Sequence, residues 1–134
     1  VYTGKDKATV VTDKGVISDS ILRRMDDTTL LVLEANYDPH MLRFGPYQPF
    51  LKQRVASDEG HLSNEMAAQA LLMMNRPDFM QVILAHRSEN NNNAVLVTQT
   101  IGKMLVDGGV RIGPEMKLQH GQPNEIVSMK SVKR

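Results

Sequence analysis

Gln81-Val82-Ile83-Leu84-Ala85-His86 is an apolar run closed by a side chain that can bind metal, and two counterparts lie upstream. Ala8-Thr9-Val10-Val11-Thr12 ends at Asp13, and Leu30-Leu31-Val32-Leu33 ends at Glu34, with Asn36 and Asp38 just beyond. Short β-branched or aliphatic runs bounded by polar and turn residues read as buried strands. Parallel strands of an α/β sheet put their carboxyl ends on one side, where ligands bind. Asp13, Glu34 with Asn36, and His86 are therefore expected on one rim, as in an enzyme.

Helical spacing alternates with these runs. Ser18 or Asp19 is placed to cap a helix to about Met25, with Ile21, Leu22 and Met25 on one face. Pro39, Pro46 and Pro49 mark an irregular stretch, with a short helix from about Phe50 to Ala56. Ser63 fits an N-cap, Glu65 suits the positive end of the helix dipole, and Met66, Ala67, Ala70, Leu71 and Met74 recur at helical spacing to about Asn75. His61 precedes that helix. Arg87 to Asn93 reads as a polar loop. Ala94 to Val106 reads as a helix offering Val95, Val97, Thr98, Ile101, Met104 and Leu105 to the core, and Asp107-Gly108-Gly109 stops it. Residues 110–112, 116–118 and 125–129 are weak strand candidates, and 130–134 a frayed basic end. Gly4-Lys5-Asp6-Lys7 reads as a hairpin turn, so a strand is expected upstream of Val1, mostly outside this sequence. The order β-α-β-(loop, short helix)-α-β-α-β-β is α/β (α+β in some schemes), with no repeat or linker inside residues 1–134.

The composition narrows the classes. The 134 residues suffice for one modest core. The net charge of +1 argues neither for nor against nucleic acid, so anion binding must come from local placement. With no cysteine, disulfides and thiolate metal sites are excluded, which fits a reducing cytoplasm. No apolar stretch approaches the roughly 20 residues that span a bilayer, and no signal-peptide pattern opens the chain. The first residue is Val rather than Met, which reads as a chain processed, trimmed or cut from something longer.

Each candidate residue has a plain and a functional reading. Asp13 is a turn aspartate bonding its own loop, or a carboxylate that binds divalent metal. His86 is an ordinary hydrogen-bonded imidazole, or a metal ligand at a strand end. His61 is a capping or packing residue, or a proton donor or phosphate contact. His40 and His120 read as surface residues in loops. Lys52, Arg54 and Arg87 are solvated cations or phosphate contacts. Met73 and Met74 read as core. The four asparagines 90–93 form a flexible loop or orient phosphate oxygens. No His-x-His-x-Asp-His, Gly-x-Gly-x-x-Gly, P-loop or Gly-x-Ser-x-Gly is present. Asp13 and His86 alone do not complete a zinc site.

Val-Val-Thr-Asp-Lys-Gly (10–15), Leu-Glu-Ala-Asn-Tyr-Asp (33–38), Gly-His-Leu-Ser-Asn-Glu (60–65) and Leu-Ala-His-Arg-Ser-Glu-Asn-Asn (84–91) occur in the order seen in metallo-β-lactamase-fold hydrolases. The chain resembles the bacterial exonuclease-like group linked to the Wal cell-wall regulatory operon (YycJ/WalJ type), as does Gly-Pro-Tyr-Gln-Pro-Phe-Leu-Lys-Gln-Arg-Val (45–55). More distantly it is similar to the transfer-RNA 3′-processing endoribonucleases of that fold. The resemblance implies that Asp13 bridges two metal ions, that His86 is a ligand of the second, and that His61 contacts the scissile phosphate or assists the leaving group from the opposite side. It places Ser88 and Asn91 near the substrate and Asn36 and Asp38 in a motif lining the site. Tyr37 departs from it, since relatives often carry histidine there.

The resemblance also implies what is absent. The family's amino-terminal half carries the His-x-His-x-Asp-His motif, so the chain is expected to be the carboxyl-terminal half of an αββα sandwich. The intact protein is expected to be a cytoplasmic, dinuclear metal-dependent phosphodiesterase acting on DNA, using zinc, manganese or iron. This chain alone is expected to be inactive and to expose a sheet face that the missing half, or a second copy, covers. The alternatives are a non-catalytic interaction or regulatory module and a hydrolase of small phosphodiesters or thioesters.

Overall fold

The structure is a computed structural model that describes residues 2–3 and 6–121. The elements run β1 (Tyr2–Thr3), β2 (Asp6–Val11), α1 (Asp19–Met25), β3 (Leu30–Glu34), α2 (Pro39–Phe44), α3 (Pro49–Val55), α4 (Asn64–Met73), β4 (Met80–Ala85), α5 (Ala94–Asp107) and β5 (Met116–His120). The sheet order is β1-β2-β3-β4-β5. β1 pairs antiparallel with β2, and every later neighbour pair is parallel. The fold class is α/β.

Monotonic strand order has a geometric consequence. Right-handed crossovers that always step in the same direction put every connecting helix on the same face. Accordingly Ile21, Leu22 and Met25 of α1, Ala67 and Leu71 of α4, and Val97, Ile101 and Leu105 of α5 share one core with Val11, Leu31, Leu33, Val82, Leu84 and Met116. Burying each such aliphatic chain contributes about 1.5–3 kcal/mol before entropy is counted. The alternate strand positions Val10, Val32 and Ile83 are in register on the opposite face and lie outside that core.

The caps follow the expected chemistry. Ser18 Oγ accepts from Ile21 N, and Ser63 Oγ accepts from Met66 N. Several expectations are corrected. Residues after Pro39 are not irregular but form α2, because Asp38 caps it through Met41 N and proline fits the first helical turn. Residues 110–112 form no strand, only an isolated bridge between Ile112 and Met116. Met73 is 67% exposed while Met74 is core, because α4 ends between them. Val95 and Thr98 sit on the solvent face of α5. His120 ends β5 and its Nε2 meets Thr98 Oγ1 at 2.8 Å, so it is not a loop residue. The asparagine run is built into the fold. Asn92 and Asn64 exchange amide hydrogen bonds of 2.8 and 3.0 Å in the interior, and Asn93 caps α5 through Leu96 N. The candidates at 125–129 and 130–134, like Gly4 and Lys5, lie outside the described residues. Among the described residues no helix is long and apolar enough to cross a membrane.

Candidate metal centre

Four segments deliver side chains to the carboxyl rim of the sheet. Asp13 follows β2, Glu34 ends β3, His61 leads into α4, and His86 follows β4. One ligand atom from each of the four lies within 4.8 Å of the others.

Glu34 is the hub. It is 0% exposed, and a buried carboxylate must be met by donors. Leu62 N donates to Oε2 at 2.8 Å. His61 Nδ1 meets Oε1 at 3.0 Å and His86 Nδ1 meets the same oxygen at 2.5 Å. Asp13 N adds a longer contact at 3.4 Å. Because a carboxylate only accepts, both imidazoles donate through Nδ1, which leaves each Nε2 with a lone pair for a metal or a proton. The rings sit 5.6 Å apart. Asp13 Oδ1 lies 3.5 Å from His86 Nδ1 and 3.9 Å from His61 Nδ1, on a side chain open to solvent.

The backbone is bent to make this possible. Asp13 (φ 58°) and His86 (φ 60°) are left-handed, as is Asp27 (φ 60°). Asp and His enter this region more readily than most residues, and such outliers concentrate at functional sites. Here each turn swings a side chain over the rim where its strand stops. Close approach then fixes the neighbouring loops. Gly15 N donates to Asp58 O at 3.0 Å, and a Cβ on Gly15 would fall 1.7 Å from Ser57 O. His61 N donates to Val55 O at 2.9 Å, and a Cβ on Gly60 would fall 2.3 Å from that same oxygen.

The remaining sequence candidates stand behind the cluster. Asn36 Nδ2 donates to His86 O at 2.7 Å, and Ser88 N donates to Asn36 O at 2.8 Å. Asp38 is engaged as the α2 cap. Asn91 is 1% exposed, its backbone oxygen accepts from Asp38 N, and its amide bonds Ser88 Oγ. The structure thus brings Asp13, His61 and His86 together and holds Asn36, Asp38, Ser88 and Asn91 in the loops that carry them. Tyr37 is buried, and burial, then Glu65, pushes its hydroxyl pKa up, so it stays neutral. The sequence puts Glu34 on the rim but does not show that it is the residue the two histidines share. Its position at a strand end beside two other polar strand ends was the available signal.

The donor set fits a divalent cation. Two imidazoles and two carboxylates suit zinc, manganese or iron. Asp13, Glu34 and one ring nitrogen of each of His61 and His86 are the converging donor set, and Glu34 also orients the two rings.

Curated proteins similar to this chain include the exodeoxyribonuclease YycJ of Bacillus anthracis, 32% identical over 122 residues that cover 91% of this chain and 46% of that protein. The exodeoxyribonuclease WalJ of Streptococcus pneumoniae serotype 2 (strain D39) is 34% identical over 120 residues, covering 89% of this chain and 45% of that protein. The chain spans about half the length of the curated relatives it matches. No family model matches the chain, and no solved structure does.

Proposed function

We propose that this chain is the carboxyl-terminal half of a metallo-β-lactamase-fold domain, and that the intact protein is a metal-dependent phosphodiesterase that degrades DNA as an exonuclease. The observation that carries this reading is the convergence of Asp13, Glu34, His61 and His86, from four separate segments, on one rim. The exodeoxyribonuclease names of relatives at 32% and 34% identity support the substrate class.

In this reading Asp13 and His86 hold metal, and a second ion is completed by donors outside the described residues. When bound, divalent ions supply Lewis acidity toward a phosphoryl oxygen. His61 faces the scissile phosphate with Nε2 and passes a proton to the departing oxygen. Glu34, bonded to Nδ1–H, orients that ring, and the proton given up is a second one carried on Nε2 of the imidazolium. Asn36 and Ser88 hold the His86 turn. The amino-terminal half supplies the remaining ligands and the second sheet.

The test is Asp13→Ala in the intact protein. Metal content by elemental analysis is expected to fall and DNA hydrolysis to be lost. Assays on DNA, RNA and small esters side by side fix the substrate. Full turnover with unchanged metal stoichiometry would overturn the assignment.

A further inference from the structure

Two buried amides join the loops that carry the rim residues. Asn64, 0% exposed, opens α4 just after His61. Asn92, 4% exposed, precedes the α5 cap and ends the loop that begins at His86. Asn64 Nδ2 donates to Asn92 Oδ1 at 3.0 Å, and Asn92 Nδ2 donates back to Asn64 Oδ1 at 2.8 Å. Asn92 Nδ2 also donates to Ala35 O at 3.1 Å, on the residue that follows Glu34. Asn92 Oδ1 accepts in addition from Asn93 N at 3.0 Å. A backbone carbonyl only accepts and a backbone N–H only donates. These two contacts therefore fix which way the Asn92 amide lies, and the exchange fixes Asn64.

The pair completes a wider set of ties. Asn36 N donates to Leu62 O and Asn64 N to Tyr37 O, both at 2.9 Å, so the exit of β3 runs beside the His61 segment. Asn36 Nδ2 donates to His86 O at 2.7 Å. The loop from His86 to Asn92 is thus held to the β3 exit at both ends, by Asn36 at His86 and by Asn92 at Ala35. The amide exchange closes the triangle by joining that loop to the start of α4. Burying amides is costly unless each polar atom is met, and an apolar pair would pack two helix starts without that demand. What paired amides add is direction, because they fix register as well as contact.

We propose that Asn64 and Asn92 are positioning residues of the metal centre, and that their paired amides hold the His61 and His86 segments in register against Glu34. Both rings meet the same Glu34 oxygen, so a slip of one segment against the other breaks a contact rather than moving both together. The asparagines act through the backbone that carries each histidine, not by touching the substrate. The inference deepens the proposed function and rests on it.

The experiment compares variants of the intact protein in steady-state DNA hydrolysis and in calorimetric titration with manganese. Asn64→Ala is expected to lower kcat and to weaken manganese binding about tenfold each, with KM within about twofold of wild type. Asn92→Ala is expected to lose more, since Ala35 O and Asn93 N lose their partner too. The double variant is expected to be no worse than Asn92→Ala, because both changes remove the same exchange. Leu105→Ala, in the core near the far end of α5, is the control for stability alone. It is expected to lower the melting temperature and to leave kcat and manganese affinity unchanged below it. If Asn92→Ala does not fold, Asn64→Ala decides, since it leaves Asn92 its bonds to Ala35 and Asn93. Wild-type kcat and manganese affinity in Asn64→Ala would overturn the proposal, and so would equal losses in Leu105→Ala. If Asp13→Ala abolishes hydrolysis while Asn64→Ala keeps full turnover, the positioning role is refuted and the nuclease reading stands. If the wild type cleaves no DNA but Asn64→Ala alone weakens manganese binding, the nuclease reading falls and the positioning role stands. A wild type that neither cleaves DNA nor binds manganese overturns both.

Discussion

Glu34 offers the sharpest test at the scale of one residue. Its Oε2 faces Leu62 N, and its Oε1 faces two imidazoles. Glu34→Gln keeps the shape but turns one end into a donor. Whichever way the amide lies, an N–H then meets an N–H at a side chain that is itself 0% exposed. Metal affinity or turnover is expected to fall about 10- to 100-fold, as for other groups that orient metal-binding histidines. Isothermal titration and steady-state kinetics check this, and wild-type values in both would remove Glu34 from the site. The placing of Asp13, Glu34 and His86 on one rim was legible in the sequence because each closes an apolar run, while His61 reads only as preceding a capped helix. The hub role of Glu34 was not. A carboxylate at a strand end has no local mark that two histidines, 27 and 52 residues away, will share one of its oxygens. The left-handed turns at Asp13 and His86 were equally invisible, since neither is glycine.

Elements with strong periodicity or caps were read correctly from the chain: β3, β4, α1, α4 and α5 lie where spacing and Ser18, Ser63 and the Asp107-Gly108 stop put them. Proline misled where its position, not its presence, mattered. Pro39 marks no break but sits in the first turn of α2, where its missing N–H has no partner to lose, whereas the short helix expected from about Phe50 to Ala56 is α3. β5 was underestimated because Lys117 and Gln119 interrupt its apolar pattern on the face away from the helices. His120 at its end gives a pH test of the β5–α5 contact. Burial, then Arg87, lowers its pKa below the ordinary 6.5. The folded state therefore favours the neutral ring. That contribution is fully present above the unfolded value and is lost as pH falls through the folded one. From pH 7 to pH 5 the wild type is expected to lose more stability than His120→Gln, as read by urea unfolding at each pH. Equal losses would mean that the ring titrates alike in both states.

The whole molecule has a sided architecture that follows from strand order. Sequential parallel strands with right-handed crossovers stack α1, α4 and α5 on one face, and parallel sheets are stable when both faces are covered. On the other face Val10, Val32 and Ile83 line up across three strands, from Val10 at 62% exposed through half-buried Val32 to buried Ile83. A second sheet at the usual spacing of about 10 Å would cover the Val10 end of this row, as the proposed sandwich requires. Val10→Glu separates the two situations because its sign depends on context. In this chain alone the position is solvated, so the substitution is expected to spare the fold and to reduce concentration-dependent association in sedimentation. In the intact protein the same glutamate would be buried between sheets without a partner, at a cost of several kcal/mol, and the melting temperature is expected to drop steeply. If Val10→Glu left the intact protein as stable as wild type, no sheet could lie over that face. The proposed half-domain would then be wrong even if the metal cluster proved active.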